Sequence, residues 1–138
     1  ESLRLYPPAW VVSRKSVEPD VLGGYPIPAG ATIITSPYLL HRDGMVWSHP
    51  LTFDPSRFLP DARRPVDRAS YLPFGAGPRL CIGRDLALLE APLVIAGLAR
   101  HFEVWPVSAA EPALDFGVTL RPKGGLRAVV QPTVSARE

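Results

Sequence analysis

One sulfur carries the most chemical information in this chain. Cys81 is the single cysteine among 138 residues, so it has no partner for an internal disulfide. Three uses remain: buried packing, a nucleophile, or a metal ligand, and its surroundings choose between them. It sits in the run Pro73-Phe74-Gly75-Ala76-Gly77-Pro78-Arg79-Leu80-Cys81-Ile82-Gly83. Gly75 and Gly77 permit backbone angles and close approaches that a side chain blocks. Pro78 fixes one dihedral. A loop of this kind can lie flat under a planar ligand. An apolar, helix-like pattern starts directly after it, so Cys81 falls where free N–H groups and the positive end of a helix dipole favour a thiolate. Arg79 carries a permanent charge on a fork that suits a carboxylate.

A thiolate, a glycine-rich bed and an arginine for a carboxylate together describe a cradle for haem. A cysteine thiolate as proximal ligand pushes electron density onto the iron and favours O–O cleavage. The stretch Phe74 to Gly83, with Arg79 two residues before Cys81, resembles the haem-binding signature of the cytochrome P450 superfamily. Without the rest of the loop, a lone cysteine reads as a buried structural thiol, and Arg79 as a solvated side chain.

Other residues extend the resemblance. Glu1 and Arg4, three apart on one helix face, form an ordinary exposed ion pair on spacing alone. Their position before the cysteine loop resembles the family's Glu-x-x-Arg motif. Phe53-Asp54-Pro55-Ser56-Arg57-Phe58 resembles its Pro-x-Arg-Phe element, with Ser56 where glutamate is frequent. The resemblance implies a buried Glu1–Arg4–Arg57 network that locks an irregular segment behind the haem loop. Arg14 stands where similar proteins hold a haem propionate, and Arg79 would hold the other. Phe74 would pack near the sulfur, and Gly75, Gly77 and Gly83 would permit close approach. Ala9, Trp10 and Val11, with Val118 and Thr119, match stretches that line the substrate pocket; core packing is the plain alternative for both. His41, in a family-like Leu-Leu-His-Arg-Asp run, is read as a structural histidine, able to bond the charge network or a propionate. His49 and His101 are read as surface residues. Arg63, Arg64 and Arg68 form a basic cluster, either solvated or a docking patch for an acidic electron donor.

By this resemblance the fold is mainly α-helical with small β-sheets, and residues 1–138 are the C-terminal part of a single cytochrome P450 domain whose N-terminal part, with the oxygen-activating helix, lies before residue 1. The implied cofactor is haem b (iron protoporphyrin IX), with Cys81 as the catalytic axial ligand. The implied activity is that of a monooxygenase: one oxygen atom from O2 enters an apolar organic substrate, with electrons from a ferredoxin or a flavoprotein reductase. Three alternatives stand beside it: a haem-thiolate isomerase or dehydratase, a haem-binding sensor, and an inactive truncated product. The piece alone is expected to be inactive.

Composition bounds these readings. A net charge of +2 gives no electrostatic reason for a nucleic-acid partner. A hydrophobic share of 46% is ordinary for a globular protein. The 17 prolines are spread along the chain and predict a loop-rich fold. No apolar run reaches the length of about 18 residues that a membrane span requires. Thirteen of the 15 basic residues are arginine, which points to a GC-rich bacterial source and a cytoplasmic location.

The elements that must position these residues follow from pattern. Glu1–Tyr6 ends a helix at Pro7-Pro8. Ala9–Arg14 is strand-like, Val17–Gly24 has turn chemistry, and Tyr25–Ile27 and Thr32–Ser36 are short strands around Pro28-Ala29-Gly30. Tyr38–His41 is a short helix. Residues 42–72 show little periodicity and read as a long irregular support. Ala87–Ala99, apolar but for Glu90, predicts one buried helix, kinked at Pro92. Phe102–Trp105 and Ala113–Leu120 are strands, and Lys123-Gly124-Gly125 is a hairpin turn before a strand at Leu126–Gln131.

Overall fold

The computed structural model describes residues 1–62, 66, 67 and 69–133. The basic cluster Arg63, Arg64 and Arg68 lies outside the described residues. The elements run α1 (Ser2–Leu5), β1 (Val12–Lys15), β2 (Asp20–Leu22), β3 (Tyr25–Ile27), β4 (Thr32–Thr35), α2 (Pro37–Leu40), α3 (Arg84–His101), β5 (Phe102–Pro106), β6 (Leu114–Phe116), β7 (Leu120–Pro122) and β8 (Ala128–Pro132). The chain divides into two compact units: Glu1–Gly75 with Phe116–Leu120, and Ala76–Asp115 with Arg121–Glu138.

In the first unit, α1 stops where Pro7 forces the residue before it out of the helical region, and Tyr6 sits at φ −129°. β1 pairs antiparallel with β4, Val12 opposite Thr35 and Lys15 opposite Thr32. Between them β2 and β3 form a hairpin closed by Gly23 and Gly24, both at positive φ (57° and 86°), as a two-residue turn of this hand requires. Residues 20–22, expected to be turn, are therefore a strand. The paired partner of β3 is this strand and not β4. Ser36 caps α2: its Oγ accepts from the Leu39 N–H at 3.3 Å, and Pro37 takes the first helical position. The interior of the unit mixes charged and apolar groups, with Pro7 and Pro37 fully buried. Arg4 and His41 are its largest fully buried side chains, joined by Leu5, Trp47 and Leu120.

In the second unit, α3 runs unbroken through Pro92 and leads into β5, which pairs antiparallel with β8. Gly124 and Gly125 do form a turn, at φ 75° and 77°. The strand after it pairs with β5 and does not fold back as a hairpin. The stretch 113–120, expected as one strand and divided between the two units, holds β6 and the first residue of β7, which pair with each other across the turn at Gly117. The apolar alternation reads straight through that glycine, which is why the pattern misses the reversal.

One expectation differs in kind. The sequence predicts that the helix after the cysteine loop is buried on nearly all sides, yet no residue of α3 is buried, and Leu93 and Ile95 are 64% and 66% exposed. A helix apolar all round needs a covering layer on more than one side. Within its unit α3 contacts β5, and that short strand covers little of it.

Candidate functional site

The cysteine loop is built from two tight turns and a short 3-10 segment. The Gly75 N–H donates to the Leu72 carbonyl at 3.1 Å, and the Leu80 N–H to the Gly77 carbonyl at 3.0 Å. Gly75 and Gly77 adopt φ 74° and 71°, the left-handed region that L side chains rarely enter. A Cβ placed on either would meet no protein atom within 4 Å. Both glycines are thus demanded by backbone conformation, and the space beside them is open. Gly83 differs: its φ is −86°, and a Cβ there would stand 4.0 Å from Cys81 Sγ, ordinary contact. Cys81 is exposed, and its carbonyl accepts from the Arg84 N–H at 3.3 Å as α3 begins. Phe74 is half-buried and Arg79 exposed.

This donor set fits a haem. One exposed thiol precedes a helix N-terminus, two glycines leave room for a flat ligand, and an exposed arginine is available to a propionate. Arg14, the other arginine expected there, is exposed on β1, and its Nη1 donates to the Ser13 carbonyl at 2.8 Å.

Glu1, Arg4 and Arg57 lie together. Arg4 grips the Glu1 carboxylate with both prongs of its fork, Nε to Oε2 and Nη2 to Oε1, each at 2.8 Å. Its remaining N–H groups donate to the carbonyls of His41, Pro50 (2.7 Å) and Thr52 (3.1 Å). All five donors of a guanidinium are thereby satisfied. Glu1 Oε1 also accepts from the Asp54 N–H at 2.9 Å. Burial pushes the Glu1 carboxyl up, but the bonds from Arg4 and Asp54 and the charge of Arg4 outweigh it, and the net displacement is downward. Arg57 joins by charge: its Nε stands 3.5 Å from Glu1 Oε1 without a hydrogen bond, while its Nη2 donates to the His49 carbonyl at 3.0 Å.

His41 ties this set to the approach of the cysteine loop. Its Nε2 accepts from the Leu72 N–H at 2.9 Å, so Nδ1 carries the proton and donates to the Arg4 carbonyl at 3.0 Å. Burial drives its pKa down to about 4, helped by the charges of Arg4 and Arg42 and opposed by the Arg4 carbonyl. The ring is therefore neutral. Tyr71 lies 5.4 Å from it, Phe58 5.0 Å from Tyr71, and the Arg4 guanidinium 5.1 Å from the Trp47 ring. Pattern reasoning misses Trp47, Phe58 and Tyr71 as walls of this polar centre. Their one signal is three large aromatics in a proline-rich segment without periodicity.

Of the pocket candidates, Ala9, Val118 and Thr119 are exposed, and Trp10 and Val11 half-buried. The structure brings the two stretches together: the Trp10 Nε1–H donates to the Gly117 carbonyl at 2.9 Å. His49 and His101 are exposed.

The sequence family model for cytochrome P450 matches residues 1–127, so this chain belongs to the cytochrome P450 family. Cyclooctatin synthase of Streptomyces melanosporofaciens is 39% identical over 96% of this chain and 28% of its own length. Cyclooctat-9-en-7-ol 5-monooxygenase of the same organism is 44% identical over 78% of the chain and 23% of its own. Among solved structures, a six-coordinated cytochrome P450 from Thermus thermophilus superposes with a TM-score of 0.79, at 42% identity over 95% of this chain and 34% of that one. The fold is that of cytochrome P450, and the chain spans a quarter to a third of the length of such relatives. No helix among the described residues is long and apolar enough to cross a membrane.

Proposed function

We propose that this chain is the C-terminal part of a single cytochrome P450 domain and supplies the thiolate face of a haem monooxygenase. The observation that carries this reading is the exposed Cys81 thiol at the mouth of α3, after two glycines held in left-handed conformation beside open space. When bound, haem b would supply the oxygen chemistry, placing one atom of O2 in an apolar organic substrate with electrons from a protein donor.

The chain's own residues hold and shape that group. Cys81 would ligate the iron through its exposed sulfur. Arg79 and Arg14, both exposed, would bind the propionates as fixed charges. Phe74 would restrict water near the ligand sulfur, and Gly75 and Gly77 would let the loop lie against the ring. Glu1, Arg4 and Arg57 hold the segment behind the loop, and Ala9, Trp10, Val11, Val118 and Thr119 face the substrate. The monooxygenase name of one relative supports the reaction class.

Reducing the full-length protein with dithionite under carbon monoxide tests this reading. A Soret band at the thiolate position, lost in Cys81→Ala, is expected. A band typical of histidine ligation in the wild type overturns it. NAD(P)H-dependent oxygenated product with a donor system separates a monooxygenase from a haem-thiolate isomerase or a sensor.

A further inference from the structure

The two stretches proposed above to face the substrate lie far apart in sequence, yet two hydrogen bonds tie them. The Leu120 N–H donates to the Pro8 carbonyl at 2.9 Å. The Trp10 indole N–H donates to the Gly117 carbonyl at 2.9 Å, across 107 residues. The indole also meets the Phe116 ring edge-on at 5.3 Å, and Phe116 meets Tyr38 in the same way at 5.1 Å. The Arg42 guanidinium caps Tyr38 at 3.7 Å.

The base of Trp10 is fixed as well. Its carbonyl accepts from Ser36 Oγ at 2.7 Å and from the Tyr38 N–H at 3.4 Å. An indole has one N–H and no acceptor, so its single polar atom is committed to Gly117. The next residue, Val118, is fully exposed. The tip of the turn is thus located by the bonds on its two flanks and not by burial of its own side chains.

We infer that Trp10 is a positioning residue for specificity: its indole N–H, through the Gly117 carbonyl, sets where Val118 and Thr119 stand and so how wide a ligand fits between the two stretches. This rests on the reading that both stretches face the substrate. It assigns the indole edge to holding the far wall and only the ring face to filling the pocket.

The test uses the full-length, haem-loaded protein, Trp10→Phe, and two probes that bind iron: imidazole, which is small, and 4-phenylimidazole, which reaches the pocket walls. Losing one net hydrogen bond should speed amide exchange at Leu120 and shift 4-phenylimidazole affinity, each by about fivefold or more. Imidazole affinity should stay within about twofold, since nothing at the iron changes. Trp10→His, which keeps a ring N–H, should recover part of the exchange protection, and it carries the comparison where Trp10→Phe does not fold. Unchanged exchange at Leu120 overturns the tether. Faster exchange with equal shifts for both probes overturns the specificity role alone. A wild type that takes up no haem overturns the proposed function beneath it, and the exchange data still report separately on the tether.

Discussion

Arg4 is the residue on which the first unit turns. A guanidinium offers five donors in a rigid plane, and here two carboxylate oxygens and three carbonyls from a distant, irregular segment receive them. A lysine has three donors on a point charge and cannot reproduce the fork. Arg4→Lys should therefore destabilise the full-length protein, and Arg4→Ala more so, by about 3 kcal/mol, because the buried Glu1 would keep only the longer Arg57 contact and the Asp54 N–H, and three carbonyls would lose their donor. Urea unfolding measures this, and a loss below about 1 kcal/mol would show that the pair is replaceable. His41 makes a different prediction. Its folded pKa of about 4 lies below the ordinary 6.5, so between those values the unfolded chain holds the proton and the folded chain does not. Stability should fall as pH drops from 6.5 towards 4, with no contribution from His41 above that window. Glu1, held below its usual 4.5, stays ionised through most of the window and adds little to the slope. His41→Asn should be less stable at pH 7 and lose stability more gently on acidification. An unaltered slope would assign the acid response elsewhere.

At the scale of elements, the sequence is most legible where a residue type forces the backbone. Pro7 stops α1, Gly23-Gly24 makes a turn, and Gly75 and Gly77 take the angles their identity permits, whereas the Ser36-Pro37 cap that opens α2 is hidden at the end of a strand-like run. The set Glu1, Arg4 and Arg57 is readable from its motifs because charged side chains announce themselves. Its other acceptors are not, since the carbonyls of His41, Pro50 and Thr52 belong to the backbone and any residue supplies one. The turn at Gly117 is hidden for a related reason: three-residue strands carry too few positions for alternation to mark a reversal. Pro92 offers a test at this scale. It lies inside α3, where its ring opposes the carbonyl four residues earlier and its missing N–H removes one rung, ordinarily a cost of about 3 kcal/mol. The helix continues through it, so Pro92→Ala should raise the stability of the full-length protein by about 1–3 kcal/mol, read as a higher urea midpoint. A lower midpoint would mean that the pyrrolidine ring itself packs against something alanine cannot replace.

At the scale of the molecule, the two units keep their apolar surface in unequal ways. The first closes around a charged and aromatic centre in which the side-chain polar atoms of Glu1, Arg4 and His41 are all paired, while Trp47 Nε1 and Arg57 Nε are buried without a hydrogen bond. In the second, Leu86, Leu89, Leu93, Ile95, Val104 and Trp105 are all exposed. Soluble monomers rarely leave contiguous apolar patches beyond a few hundred Å2 uncovered, and a helix apolar on every face has no side to turn to water. Each uncovered leucine or isoleucine forgoes about 1.5–3 kcal/mol of transfer free energy, and association is the simplest way to recover it. The 138-residue chain on its own should therefore bind a hydrophobic dye and form concentration-dependent assemblies on size exclusion. Replacing Leu89 and Leu93 together by glutamate should reduce both signals while leaving the hydrogen-bonded centre around Arg4 intact, since neither residue belongs to it. In the full-length protein the same pair should abolish haem retention if α3 is covered there by the remainder of the domain. A monodisperse chain without dye binding would show that α3 folds against its own unit in solution. Retained haem in the double variant would show that no such cover forms.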